Sequence, residues 1–349
     1  MKPLEYFPGA NTPQGFYSYY DYILHPAETK NKIILKGGPG TGKSSLMKKV
    51  ASLLTENGLQ VNLLHCSSDP DSLDAIVAPS LGFCMLDGTA PHIVDPICPG
   101  ASDTIINLGD FWNAGGIRKH KAEIQKTNTA IKENFNSAYN YLRAAKEVQM
   151  HIHKTNAAFT EAEQIDKTLN HVMSNLNIRP NFCAKGKITK GFLTGFTPKG
   201  SISYIDSFAA SADRVFCVLE NTDTSAYFLN RLAECIISSG KDAWLFYCPL
   251  HPDRKTEHIY LPNENIFITT ANAYHSCSIN TEQIDLTPYT KADAVLRADT
   301  DIFNILLSRA TALIQNAKSL HDKLEQFYIP YMNFDAVEKL PQKIVNEIL

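Results

Sequence analysis

A chain of 349 residues has room for two domains of ordinary size. Its 44% hydrophobic and 20% charged residues give a globular balance, which excludes disordered and fibrous proteins. The formal charge of −3 excludes a protein that coats nucleic acid through its overall charge. The sequence has no apolar run near the roughly 18–20 residues of a membrane span, and residues 1–16 lack the basic and apolar regions of a signal peptide. We therefore expect a cytoplasmic protein without a membrane partner.

The first predicted elements are those of an α/β domain. A short apolar strand at residues 32–36 leads through a glycine-rich loop into an amphipathic helix that ends near Gly58. Buried strands are predicted next, at residues 61–66 and 82–87. Strands that alternate with helices predict a parallel sheet with helices on both faces.

The loop between the first strand and the first helix carries a phosphate-binding motif. Residues 37–44 read GGPGTGKS, which fits G-x-x-x-x-G-K-[ST]. The glycines let successive backbone N–H groups converge on phosphate oxygens, and the helix N-terminus adds positive potential. The motif predicts that a nucleotide triphosphate, expected to be ATP, binds to these residues: Gly38, Pro39, Gly40, Thr41, Gly42, Lys43, Ser44 and Ser45.

Three side chains have predicted chemical roles in this region. Lys43 is expected to reach the β- and γ-phosphates and to act in catalysis, and the Ser44 hydroxyl is expected to bind Mg²⁺. A carboxylate at the end of a neighbouring strand commonly completes such a site, and Asp87 ends the apolar strand at residues 82–87. We therefore predict that Ser44 and Asp87 hold Mg²⁺.

A second α/β unit is predicted because the sequence resembles itself. Residues 7–21 and 192–206 agree at seven of 15 positions, at an offset of 185. An offset of 182 then keeps apolar and polar positions in step from residue 31 to residue 71. The predicted strands of the second unit lie at residues 214–219, 243–248 and 265–270. We interpret the two units as the products of an internal duplication.

Long helices are predicted after each unit. Apolar residues recur every seven positions from Ile117 to Ile152 and from Leu306 to Phe327, a spacing that keeps one apolar seam against a partner helix. In the second segment this series interleaves with another that includes Ala310. The predicted domains are a first unit (residues 1–110), a helical arm or hairpin (111–180), a second unit (181–288) and a C-terminal extension of helices (289–349).

The second unit lacks the residues that are predicted to bind phosphate in the first. Residues 219–226, which align with the glycine-rich loop, read LENTDTSA. Two carboxylates, Glu220 and Asp223, therefore lie where phosphate would bind, and like charges repel. The strand that aligns with residues 82–87 ends without an acid. We predict that the second unit binds no nucleotide triphosphate.

Asp69 is the candidate for orienting the attacking water. It follows the second predicted strand, and its counterpart is His251. Asp69 is thus lost in the second unit together with Lys43, Ser44 and Asp87, as expected for a catalytic group. The alternative for Asp69 is an ordinary helix cap.

The motifs resemble those of a family of bacterial two-repeat P-loop ATPases, mostly from Firmicutes, over nearly the whole chain. Among the segments that carry the resemblance are GANTPQGFYSYYD, ILKGGPGTGKSSLMKK and HDKLEQFYIPYMNFDAVEKL. The resemblance implies ATP binding and hydrolysis at residues 37–45. Many members carry an intact loop in both halves, and this sequence departs from them in its second unit.

Three functions are compatible with these features. The first is a Mg²⁺-dependent ATPase that couples hydrolysis to movement of the arm or of the two units. The second unit could lend a cation to the phosphates, and the sequence does not decide which, although Arg214 and Arg231 lie there. The second function is a kinase for a nucleoside or another small molecule, with the helices after Asp87 as a lid. The third is a nucleotide-gated protein whose arm binds a macromolecular partner. Nucleic acid is the less favoured partner, although residues 118–154 hold eight Lys and Arg against three Glu.

Overall fold

The computed structural model describes residues 2–91, 93–157, 161–179, 181, 186–220, 225–271, 281–289 and 297–349. The first unit contains β1 (Glu5–Tyr6), β2 (Gly9–Thr12), β3 (Gly15–Ser18), β4 (Asn31–Lys36), α1 (Lys43–Glu56), β5 (Asn62–Cys66), β6 (Asp69–Ala78), β7 (Phe83–Asp87) and β8 (Asp103–Asn107). The arm contains α2 (Ala114–Arg118), α3 (Lys121–Ala157) and α4 (Ala162–Asn175).

The second unit contains β9 (Ile188–Gly191), β10 (Thr194–Thr197), β11 (Gly200–Ser203), α5 (Ile205–Ala209), β12 (Arg214–Leu219), α6 (Ser225–Ser238), β13 (Ala243–Cys248), β14 (His251–Leu261), β15 (Ile266–Ala271) and β16 (Glu282–Asp285). The C-terminal extension contains α7 (Arg297–Glu325), α8 (Phe334–Val337) and α9 (Leu340–Ile348). The strands predicted from the sequence are therefore confirmed to within a residue or so at their ends.

In the described residues each unit has a six-stranded sheet, and the two sheets have the same strand order. The order is β1-β5-β6-β7-β4-β8 in the first and β9-β13-β14-β15-β12-β16 in the second. In both sheets the third strand runs antiparallel to its two neighbours, and the other neighbouring pairs are parallel. This identity of order and direction is compatible with an internal duplication.

The prediction of a parallel sheet is wrong, because the sheets are mixed. Two strands that the sequence analysis did not predict, β6 and β14, follow β5 and β13 after two residues each. A connection of that length permits only antiparallel pairing, whereas a parallel strand needs a crossover of a dozen or more residues. β6 lies between β5 and β7, and β7 in turn lies directly beside β4.

The prediction of helices on both faces of each sheet is confirmed only in part, because the inner side has the short helix α5, whose Phe208 packs there, and the longer helices cover the outer faces. The outer face of the first sheet packs against α1 and α9, and that of the second sheet packs against α4 and α6. The inner faces meet instead in one shared cluster, which includes Leu64 and Leu86 of the first sheet and Phe246 and Phe267 of the second. Burial of this apolar surface holds the two units together.

The long helix of the arm packs against a helix of the C-terminal extension. α3 packs along α7, and the buried seam between them contains Ala138, Ala145 and Ala310, which lie in the predicted sevenfold series. α4 packs against α6 of the second unit, so the partner of α3 is α7 rather than another helix of residues 111–180. None of the described helices combines the length and apolar character needed to cross a membrane.

The C-terminal extension returns to the first unit. α9 packs against α1, and Val337, Ile344 and Val345 are buried in the outer core of the first sheet. The chain thus leaves the second unit at α7, runs back along α3 and ends against the helix that follows the glycine-rich loop. This path brings residues from the end of the sequence to the predicted phosphate site.

Candidate functional site

The glycine-rich loop joins β4 to α1 at the edge of the first sheet where its parallel strands end. The loop comprises residues 37–42, and α1 begins at Lys43. Gly42 has a φ of 91°, a left-handed conformation that favours glycine and turns the chain into the helix. Lys43, Ser44 and Ser45 form the first turn of α1, as expected for a phosphate loop.

Lys43 lies between the loop and the end of the neighbouring strand. Its Nζ donates hydrogen bonds to the carbonyl oxygens of Gly37 and Gly38, both at 3.0 Å. The same atom lies 3.5 Å from Oδ2 of Asp87. The side chain of Lys43 is only 12% exposed, and its charged end lies among these loop and strand atoms. The buried Thr41 stiffens the loop by donating a hydrogen bond to the Gly38 carbonyl at 2.8 Å.

Asp87 ends the strand beside β4, and Ser44 lies in the first turn of α1. β7 pairs with β4 so that Asp87 lies opposite Leu35, near the start of the loop. Oδ1 of Asp87 accepts hydrogen bonds from the amide and hydroxyl of Thr89 at 2.9 and 2.6 Å. The Ser44 hydroxyl accepts a hydrogen bond from the amide of Leu73 at 3.0 Å. A carboxylate and a hydroxyl are the oxygen ligands that Mg²⁺ prefers, so this donor set fits the ion.

Asp69 begins β6 at the same edge of the sheet. The register pairs Asp69 with Cys66 and, in the second sheet, His251 with Cys248, in agreement with the sequence alignment. The helix-cap alternative for Asp69 is wrong, because a strand begins there. Its Oδ2 accepts a hydrogen bond from the Ser72 hydroxyl at 2.9 Å and lies 3.4 Å from Nζ of Lys318 on α7.

The sequence profile of the KAP family P-loop domain matches residues 16–236. The chain belongs to the KAP family. The matched residues include the glycine-rich loop, Asp69, Asp87 and α3, and they end within α6, before the C-terminal extension. Neither the curated proteins nor the solved structures include a match to this chain. The match establishes a P-loop NTPase domain, the class of domain that binds a nucleotide.

The KAP domain is covered at its phosphate loop by residues outside it. A Cβ atom on Gly40 would lie 2.9 Å from Ile329 and 3.1 Å from the Cβ of Glu325. A Cβ atom on Gly38 would lie 2.9 Å from the ring of Tyr328. The loop glycines therefore allow the C-terminal extension to approach the backbone closely, in addition to any role with phosphate. Sequence reasoning missed this cover, since only long-range folding brings the two segments together.

The end of α7 also brings ionisable side chains to the site. Lys318 donates a hydrogen bond to Asp322, and His321 lies 3.5 Å from Glu325. Burial lowers the pKa of His321, the Glu325 carboxylate opposes this effect, and the charges of Lys318 and Lys43 lower it further. Burial alone would also lower the pKa of Lys318, but its hydrogen bond to Asp322 and the charge of Asp69 raise it instead. Lys318 is therefore a cation at neutral pH.

In the second unit a carboxylate lies at the start of the equivalent helix. The amide of Ser225, the first residue of α6, donates a hydrogen bond to Oε2 of Glu220 at 2.7 Å. Glu220 is 8% exposed and follows β12 as the glycine-rich loop follows β4. Residues 221–224 of the predicted degenerate loop, including Asp223, lie outside the described residues. Where Asp87 lies opposite Leu35 in the first sheet, Thr269 lies opposite Cys217 in the second.

Proposed function

We propose that the chain is a Mg²⁺-dependent ATPase with a single hydrolytic site, in the first unit. The observation that carries the proposal is the approach of Lys43 to Asp87, at 3.5 Å, where a phosphate loop and the end of the adjacent strand meet. This arrangement supplies a cation for the phosphates and a carboxylate for the metal on neighbouring elements. Membership in the KAP family supports nucleotide binding at this loop.

The residues of the site have different roles in hydrolysis. The backbone N–H groups of residues 38–45 and the N-terminus of α1 bind the phosphates, and Lys43 holds the β- and γ-phosphates. Ser44 and Asp87 would hold Mg²⁺, which neutralises phosphate charge when bound. Water attacks the γ-phosphorus, the bond to the β–γ bridging oxygen breaks, and ADP and phosphate leave. Asp69 orients the water once its carboxylate is released from Lys318.

The second unit serves as a structural partner that binds no triphosphate. Support for this part comes from Glu220, whose carboxylate accepts a hydrogen bond from Ser225 at the N-terminus of α6. A helix N-terminus attracts an anion, and here the chain supplies its own. A triphosphate would have to displace a buried carboxylate of the same sign of charge.

Hydrolysis is coupled to the arm through α7. The loop contacts the C-terminal end of this helix at Gly40, and α7 continues for 29 residues along α3. At a rise of 1.5 Å per residue, such a helix carries a displacement over about 43 Å. A change in the loop on phosphate release therefore moves the arm relative to the first sheet, and a macromolecular partner that binds the arm would sense this movement.

The test is phosphate release from ATP by the purified full-length chain, with no acceptor added. We expect release that requires Mg²⁺, and we expect Lys43→Ala and Asp87→Asn to abolish it. Lys49→Ala is the matched control, because Lys49 lies on the same helix and pairs with Glu338 at the surface. Phosphate release that is equal in wild type and Lys43→Ala would contradict the proposal. Binding of ATP with transfer to an added nucleoside, and no release without it, would favour the kinase.

A further inference from the structure

We propose that Lys318 of α7 is a second cation of the triphosphate site, which leaves Asp69 and binds the terminal phosphate of the nucleotide held by the first unit. The inference rests on the proposed function, and it adds a residue that lies outside the KAP match. From the sequence, a cation from the second unit was considered, whereas Lys318 lies in the C-terminal extension.

One face of α7 lies across the mouth of the phosphate loop. Lys318, His321, Asp322 and Glu325 follow the spacing i, i+3, i+4 and i+7, which places their side chains on one side of a helix. Two contacts fix this face against the first unit. Glu325 packs on the backbone of Gly40 at one end, and Lys318 lies 3.4 Å from Asp69 at the other.

Between these two contacts the face spans the region where the phosphates would bind. Seven residues of helix cover roughly 10 Å, and His321, which lies between the contacts, is within the electrostatic reach of Lys43. Asp69 begins β6, the neighbour of the strand that ends at Asp87. The Lys318 end of the face is therefore on the side of the predicted metal ligand, where the terminal phosphate of a bound triphosphate would lie.

Lys318 is held in this position by exchangeable contacts. Its partners are the carboxylates of Asp69 and Asp322, and its side chain remains 26% exposed. Unit charges about 4 Å apart attract by roughly 1–4 kcal/mol at dielectric constants between those of water and a protein surface. A triphosphate carries more negative charge than one carboxylate, so it competes for the ammonium group. When Lys318 moves to the phosphate, the carboxylate of Asp69 is free to accept a hydrogen bond from the attacking water.

The two arginines that the sequence analysis named in the second unit, Arg214 and Arg231, have other partners. Arg214 donates hydrogen bonds to both carboxylate oxygens of Glu282, at 2.8 and 2.9 Å. Arg231 donates a hydrogen bond to the Tyr227 hydroxyl at 3.1 Å. Among the described residues of the C-terminal extension, Lys318 is the cation that contacts a predicted catalytic residue, Asp69.

The experiment compares wild type, Lys318→Ala and Lys318→Arg in ATP hydrolysis and in binding of ATP and ADP. We expect Lys318→Ala to lower kcat by at least about tenfold, as loss of a cation at the transferred phosphate does. We also expect Lys318→Ala to weaken ATP binding and to leave ADP binding unchanged. Both affinities are measured by calorimetry at low temperature and without Mg²⁺, so that ATP is not hydrolysed. Lys318→Arg keeps the charge and should restore part of kcat and most of the preference for ATP.

The controls separate this inference from a structural role and from the proposed function. Lys323→Ala changes an exposed lysine of the same helix and should leave all values unchanged. If Lys318 only held α7 in place, its removal would weaken ATP and ADP equally, and Lys318→Arg would not recover the difference; this result overturns the inference. If wild type binds ATP without hydrolysing it, the proposed ATPase function is overturned. The ratio of the affinities for ATP and ADP, compared between wild type and the Lys318 variants, still tests the role of Lys318. Wild type that binds neither nucleotide overturns both.

Discussion

Phe7 and Phe192 exchange both of their backbone hydrogen bonds, because each amide donates to the carbonyl of the other, at 2.9 and 3.0 Å. The two residues occupy corresponding positions of the self-similar segments, at the offset of 185. A reciprocal pair of this kind places a local two-fold axis between the units. Both rings are fully buried in one cluster with Ala10 and Tyr19, so the axis passes through a packed core.

The first prediction concerns this junction. Phe192→Ala removes a fully buried ring and should lower the free energy of unfolding by about 3–5 kcal/mol. Urea denaturation followed by circular dichroism measures the change. Tyr141→Ala is the control, because Tyr141 lies on the arm with 38% of its surface exposed, and its loss should cost less than about 0.5 kcal/mol. If the two substitutions lowered the free energy of unfolding equally, packing at this junction would contribute no more to stability than an exposed side chain does.

A second prediction follows from an ion pair that holds β8 to the strand before the phosphate loop. Burial would raise the pKa of Asp103, but Lys32 and the amides of Ile97 and Cys98 outweigh it and lower the pKa to about 2, from 3.8. A lowered pKa stabilises the fold at all pH values above about 4, and this contribution is lost as the pH falls towards 2. At 1.36 kcal/mol per pKa unit, about 2 kcal/mol is at stake.

Unfolding measured between pH 5 and pH 2 checks this expectation. Between pH 5 and pH 2 the free energy of unfolding should fall by about 2 kcal/mol more in wild type than in Asp103→Asn. The second sheet offers a matched control, since Arg214 and Glu282 join the corresponding strands, β12 and β16, at 2.8 Å. That pair is half exposed, so Glu282→Gln should change the acid sensitivity little. An identical pH dependence in wild type and Asp103→Asn would contradict the assignment.

The sequence predicts those parts of the molecule that short segments encode. An apolar strand, GGPGTGKS and a helix follow one another within a few turns of chain, so the phosphate loop could be located before its geometry was known. β6 was missed because its first residues, Asp69 to Ser72, have the composition of a turn and Asp74 interrupts the apolar run that follows. The contact between Gly40 and Glu325 could not be predicted, since the two residues lie in opposite halves of the chain.

The third prediction concerns the carboxylate at the start of α6. Glu220→Ala leaves the Ser225 amide without its 2.7 Å acceptor, and a lost cap of this kind costs about 1–2 kcal/mol of folding stability. Glu220→Gln keeps an acceptor oxygen and should cost less. Thermal unfolding of the two variants measures the difference. We further expect neither variant to bind a second ATP, because the second unit also lacks the loop glycines and lysine; two bound nucleotides per chain by calorimetry would refute this.

The last prediction uses two glycines with the same backbone strain and different surroundings. Gly40 and Gly58 have φ values of 67° and 80°, so an alanine at either position costs roughly 1–2 kcal/mol in the left-handed conformation. A Cβ atom on Gly58 would meet open space, whereas one on Gly40 would lie 2.9 Å from Ile329 and 3.4 Å from the backbone of Glu325. Gly40→Ala should therefore also push the C-terminal extension from the loop. Hydrogen exchange at residues 325–334 should accelerate in Gly40→Ala alone. ATP hydrolysis should fall in that variant as well, because Lys318 is displaced and because Gly40 belongs to the phosphate-binding loop. Equal exchange in the two variants would show that α7 does not depend on the loop for its position.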